Sequence, residues 1–208
     1  MRERLPELEW ALRGGVACLD FANTVGWHAG EHPVEYLNRY TDLLSWCVSV
    51  GVLDGREAEA LGRRAEAEPE AARAVLARSV VLREAIYRVF SAAAGGEGPS
   101  PSDLEVLNGE LQEALARLRL TSGAGGGFGW GWGGEAALER PLWSVARSAA
   151  ELLTSGKLRR VKVCMGEACG WLFLDESRNR SRRWCDSRDC GNRARVRRYY
   201  ARRRTGDT

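Results

Sequence analysis

Four cysteines carry the clearest chemistry in this sequence. Cys164, Cys169, Cys185 and Cys190 form two C-x4-C pairs with fifteen residues between them. Two such knuckles, each giving two thiolates, can close a tetrahedron around one ion. Four soft sulfur ligands select zinc and leave no position for a substrate water, so the expected cofactor is one structural Zn2+. The other two cysteines, Cys18 and Cys47, lie in apolar stretches. A thiolate site together with free buried thiols fits a reducing cytoplasm; a Cys18–Cys47 disulfide is the alternative.

The residues around the pairs must position the sulfurs. Trp171-Leu172-Phe173-Leu174 reads as a short strand, Asp175 to Ser181 as a polar turn, and Arg182-Arg183-Trp184 as the return strand. From Gly191 to Arg204 no helix breaker intervenes, so a helix is expected with Cys190 at its N-terminus, where free amides and the helix dipole favour a thiolate. Gly191 is expected to let backbone approach sulfur. Knuckle, hairpin and helix in that order make a treble-clef-like zinc finger.

Cys190-Gly191-Asn192-Arg193 after paired C-x4-C knuckles resembles the CGNR zinc finger. Cys18-Leu19-Asp20-Phe21-Ala22-Asn23-Thr24 resembles the start of the ABATE domain that precedes that finger in bacterial proteins. The resemblance implies a stress-response transcription regulator, with an ABATE-like domain over 1–156 and a CGNR-type finger with a basic helix over 157–208. It also implies a sensory role for the first domain. Asp20, Asn23 and Thr24, with Trp27 and His28, are the candidate lining of a small-ligand pocket; the plainer reading is that they cap helix ends and satisfy buried backbone.

Charge divides the chain. Residues 157–208 hold 16 Lys+Arg against 6 Asp+Glu, whereas residues 1–156 hold 15 against 22. Such asymmetry points to an anionic partner for the basic part. The start, Met1 to Glu7, has no apolar signal core, and no stretch has the roughly 18 apolar residues of a membrane helix, so a cytoplasmic protein is expected.

The first 156 residues read as mostly helical. After a lead-in through Gly15, residues 16–25 suggest a short helix, or alternatively a strand; 26–33 suggest a loop. Pro33 is expected to open a helical turn through Arg39, and Thr41 to cap a helix ending at Gly51. Asp54 and Glu57 form a capping box for a helix to Glu68, and Pro69 opens another to Ala94. There Val75, Leu82, Ile86, Val89 and Phe90 make an apolar stripe. Ser102 and Glu105 suggest a second capping box for a helix to Arg117. Alternation in 117–134 predicts a β-hairpin with Phe128, Trp130 and Trp132 on one face and a mobile glycine tip. A helix with Pro141 near its start runs to Gly156. The fold class is therefore mainly α with a small β-hairpin, followed by the four-cysteine finger.

Other chemistries find little support. Gly129, Gly131 and Gly134 match a dinucleotide fingerprint by letter, but tryptophans fill its variable positions and no parallel strands surround it. His28 and His32 lack an accompanying metal motif. No nucleophile, base and orienting group converge, so the chain is not expected to be an enzyme. The basic residues are the stronger feature. Arg178, Arg180, Arg182 and Arg183 fall in the finger's turn and return strand; Arg193, Arg195, Arg197, Arg198 and Arg202 fall on its helix, with Val196, Tyr199 and Tyr200 as the stripe that docks it. Forked guanidinium donors suit phosphate. The expected partner is double-stranded DNA, with Arg193 the first candidate for a guanine edge, and with a small effector and a homodimer as further partners. The alternative is a finger that binds RNA, an acidic protein or its own N-terminal domain.

Overall fold

A computed structural model describes residues 10–122, 126–133 and 136–205. The expected lead-in falls partly on 1–9 and the expected glycine tip partly on 123–125, both outside the described residues.

Segment 16–25 forms both of the alternatives the sequence left open. Helix α1, Ala17–Ala22, is followed by a two-residue strand β1, Val25–Gly26, paired antiparallel with β2, Val34–Glu35. The strand replaces the helical turn expected after Pro33. Proline at a strand entrance loses no ladder bond, and β-branched Val34 suits the extended chain. The next helix, α2, spans Tyr40–Ser49. Its start is held by Asp42 rather than Thr41: the carboxylate accepts from Asn38 N at 3.0 Å and Arg39 N at 2.8 Å.

The Asp54/Glu57 capping box forms as expected, each side chain accepting from the other's backbone N–H at 2.8 Å, and opens α3, Gly55–Ala67. Long helix α4 spans Pro69–Gly95 and α5 spans Pro101–Arg117. The second capping box does not form. Pro101 takes the first helical position, which puts Ser102 inside the helix, and Asp103 is drawn into an ion pair with Arg88 at 2.6 Å. The hairpin pairs β3, Leu118–Ser122, with β4, Phe128–Trp132, and α6 follows over Arg140–Thr154. Gly129 and Gly131 lie within β4 of this two-stranded ribbon, not in a turn between a strand and a helix, so the dinucleotide reading has no structural context.

A 3-10 turn at Leu158–Arg160 leads into β5, Val161–Val163, which pairs antiparallel with β6, Leu172–Leu174. The return strand expected at Arg182–Trp184 is irregular instead. The hairpin forms across the first knuckle because both its strands are apolar enough to enter the core. Helix α7, Cys190–Thr205, ends the described chain.

One apolar core joins the helices to this second hairpin. Leu19, Phe21, Leu43, Leu44, Trp46, Leu61, Leu82, Ile86 and Phe90 are fully enclosed, and Val161, Leu172 and Leu174 belong to the same cluster. The segments separated in sequence at Gly156–Lys157 thus fold onto each other. Each fully buried leucine contributes about 1.5–3 kcal/mol. Cys18 and Cys47 are buried free thiols, not a disulfide. Burial raises Cys18 to about 12 and also raises Cys47. Among the described residues no helix is long and apolar enough to cross a membrane.

Candidate functional site

Strand β5 delivers Cys164, the first knuckle delivers Cys169, the segment after Arg183 delivers Cys185, and α7 begins with Cys190. The four sulfurs lie within 4.8 Å of one another and all four residues are buried. Cys169 and Cys185 sulfurs are 3.8 Å apart, as are those of Cys185 and Cys190. A tetrahedron with metal–sulfur bonds of about 2.3 Å has edges of about 3.8 Å, so the spacing fits one zinc ion. The centre is a single structural zinc site. Phe173, Trp171 and Trp184 pack around it and limit solvent access.

Backbone donors tune the sulfurs. Cys185 N donates to Cys164 Sγ at 3.3 Å and Gly166 N to the same atom at 3.4 Å. Hydrogen bonds from Cys169 and Cys185 hold the Cys164 thiol far below its ordinary value, and the same contacts push Cys185 up. A bound divalent cation would be held by all four sulfurs as thiolates. The glycine that admits the close approach is Gly166, not Gly191. A Cβ on Gly166 would stand 2.9 Å from Cys190 Sγ, whereas one on Gly191 would meet the Trp184 ring at 3.4 Å.

Two family models match the chain in order. Residues 15–156 match ABATE, described as "Putative stress-induced transcription regulator", and residues 160–203 match the CGNR zinc finger. The chain belongs to the ABATE family. No curated protein matches it significantly.

The candidate pocket residues of the ABATE segment turn out to hold the CGNR finger or their own turn. Asn23 Nδ2 donates to Leu172 O at 2.8 Å and its Oδ1 accepts from Leu172 N at 2.9 Å, so its amide serves as backbone along the free edge of β6. Asp20 accepts from Gly14 N at 2.7 Å, and Gly14 O in turn accepts from Leu174 N at 2.8 Å. Burial raises the Asp20 pKa against those backbone hydrogen bonds. Thr24 Oγ1 donates to Phe21 O at 2.8 Å. His28 N donates to Cys169 O at 3.1 Å, and its ring lies against Tyr87 and 2.9 Å from a Glu84 oxygen. Trp27 is 40% exposed, with the Arg193 guanidinium 4.7 Å from its ring centre.

Sequence reasoning missed further residues in this junction. Trp171 Nε1 donates to Val25 O at 2.7 Å. Gly170, at φ +68, permits a contact in which a Cβ would stand 2.8 Å from Ala29 Cβ. A glycine beside a ligand cysteine was the available signal for Gly170; none marked Val25, because pairing across 146 residues leaves no local trace.

The arginines separate into two groups. Arg182 and Arg193 turn inward. Arg182 donates to Cys185 O at 2.6 Å and lies 4.5 Å from the Phe173 ring centre. Arg193 donates to Cys190 Sγ at 3.0 Å and pairs with Asp189 at 2.8 Å. The others face outward. Arg178 and Arg180 are exposed on a turn held from below by Asp175, which is fully buried and accepts from Lys162 Nζ at 2.6 Å and Arg182 N at 3.0 Å. Arg183 is also exposed, its guanidinium 5.7 Å from the Trp184 ring centre. On α7, Arg195, Arg198 and Arg202 are exposed, and Arg197 pairs with Glu167 at 2.9 Å. The expected docking stripe does not dock: Val196, Tyr199 and Tyr200 are 45%, 55% and 59% exposed. Beyond its first turn the helix meets the finger through the Arg197–Glu167 pair, and its apolar stripe stays open to solvent among the described residues.

Proposed function

We propose that this chain is a cytoplasmic, non-enzymatic bacterial transcription regulator whose zinc-fixed finger grips double-stranded DNA. The observation that carries the reading is α7. Its base is tied to the metal centre through Cys190 and Arg193, while Arg195, Arg197, Arg198 and Arg202 beyond it are exposed, Arg197 in a pair with Glu167. A rigid base with exposed guanidinium forks suits phosphate contact and groove entry. Arg178 and Arg180, on the clamped turn, supply a second set of donors from the same finger. Zinc acts by shaping this surface, not by chemistry on a substrate.

In this reading Arg193 is a positioning residue, since its guanidinium already serves Cys190, Asp189 and Trp27. Arg195, Arg198 and Arg202 take over as candidates for base edges and phosphates. The ABATE segment supplies the regulatory input, by binding a small effector or by self-association. Any change there has a short path to the finger through Asn23 and Trp27.

The experiment is a salt titration of duplex affinity. With six phosphates neutralised, log affinity should fall with log salt at a slope of about −5, and each phosphate-contacting arginine changed to alanine should flatten it by about 1. A flat slope, or stronger competition by single-stranded RNA than by duplex, rejects the reading.

A further inference from the structure

We propose that the acidic groove between α4 and α5 receives helix α7 of a second copy of this chain. The groove is open, with a volume of about 690 Å³. Val81 and Val106 give it apolar lining, and Gly109 and Ala116 leave room for a partner's side chains. Val81 is 54% exposed on the groove wall. Glu105, Glu110 and Glu113 line the same groove. Arg78 pairs with Glu110 and Glu113, each at 2.9 Å, which leaves an acidic excess with Glu105 exposed.

Helix α7 has the complementary properties. It carries Val196, Tyr199 and Tyr200 at i, i+3 and i+4, all exposed, with arginines on either side. Amphipathic helices enter apolar grooves through anchors at this spacing, and flanking charge sets the register. A helix of this length is marginal when it projects alone into water, so a partner surface stabilises it. The occupant is a second chain because of how α7 is rooted. Cys190 belongs to the metal centre, and Arg193 is tied to Cys190, Asp189 and Trp27. A continuous helix with so fixed a base cannot turn back onto its own body. Two chains can instead exchange helices reciprocally, giving a closed two-fold pair. Each contact is small and charge-assisted, so association is weak and falls with added salt.

The test is sedimentation of the full zinc-loaded chain up to about 200 μM at low and high salt, a range that reveals micromolar association. Two double variants are compared: Glu105→Lys with Glu113→Lys in the groove, and Tyr199→Ser with Tyr200→Ser on the helix. All four positions are exposed, and unchanged zinc content and circular dichroism establish that the variants fold. The wild type should dimerise at low salt and each variant should associate at least about tenfold more weakly. Mixing the two variants leaves one intact groove and one intact helix per pair, and should restore part of the association. Three results overturn the proposal: a wild type that stays monomeric at low salt, association that survives the groove variant, or a mixture that recovers nothing. No DNA enters the experiment, so its outcome is separate from that of the salt titration.

Discussion

Changing Asn23 to alanine should destabilise the whole chain. The Asn23 amide makes both hydrogen bonds of the Leu172 backbone, at 2.8 and 2.9 Å, in a place where Leu172 is 0% exposed. Alanine leaves one buried N–H and one buried C=O without partners. Each such group costs about 1–3 kcal/mol, so the loss is about 2–6 kcal/mol if no water enters. For a domain whose total stability is about 5–15 kcal/mol, that is a large fraction. At this chain length it corresponds to a fall in Tm of at least about 4 °C. The assay is thermal and urea unfolding of the zinc-loaded protein, followed by far-UV circular dichroism for the helices and by tryptophan fluorescence. Because Leu172 belongs to the shared core, both signals should move together in one transition. A loss below about 1 kcal/mol, or two separate transitions of which only one shifts, would refute the reasoning.

Gly166→Ala places a methyl group 2.9 Å from Cys190 Sγ and should weaken zinc binding by at least about tenfold, read by competition with a chromogenic chelator, while Gly191→Ala should do much less. Asp175→Asn should cost about 2–3 kcal/mol, because it leaves Lys162 Nζ beside two carbonyls without its carboxylate. Burial pushes Asp175 up, but Lys162 and the Ser177 and Arg182 hydrogen bonds hold it well below its ordinary 3.8. That stabilisation is complete above pH 3.8 and fades only as pH falls through the depressed folded value, so the stability gap to the variant should stay level from about pH 5 to 8. Cys18 and Cys47, raised by burial, should resist a thiol reagent at about pH 8 until the chain unfolds; prompt labelling of either would contradict their placement.

What could be read directly from the sequence was local. The cysteine spacing, the Asp54/Glu57 box and the proline at the head of α4 each act within one turn or knuckle, and each appears where expected. The junction was not local. Asn23 meets Leu172 across 149 residues, and a buried asparagine in an apolar helix reads equally well as a cap, a pocket residue or a clamp. Strand β5 was hidden for a similar reason: Val161-Lys162-Val163 is too short to signal a strand until Leu172–Leu174 lies beside it. On α7 the pattern was legible but its use was not. Spacing shows which residues share a face, and only coordinates show that Val196, Tyr199 and Tyr200 stay exposed among the described residues.

The most direct test of the account is duplex DNA affinity measured on the same purified chain with its zinc, after chelation, and after one equivalent of zinc is returned. The account predicts one zinc per chain, loss of most affinity on chelation, and recovery with the single equivalent. Full affinity in the zinc-free chain, or a purified chain without stoichiometric metal, would contradict it.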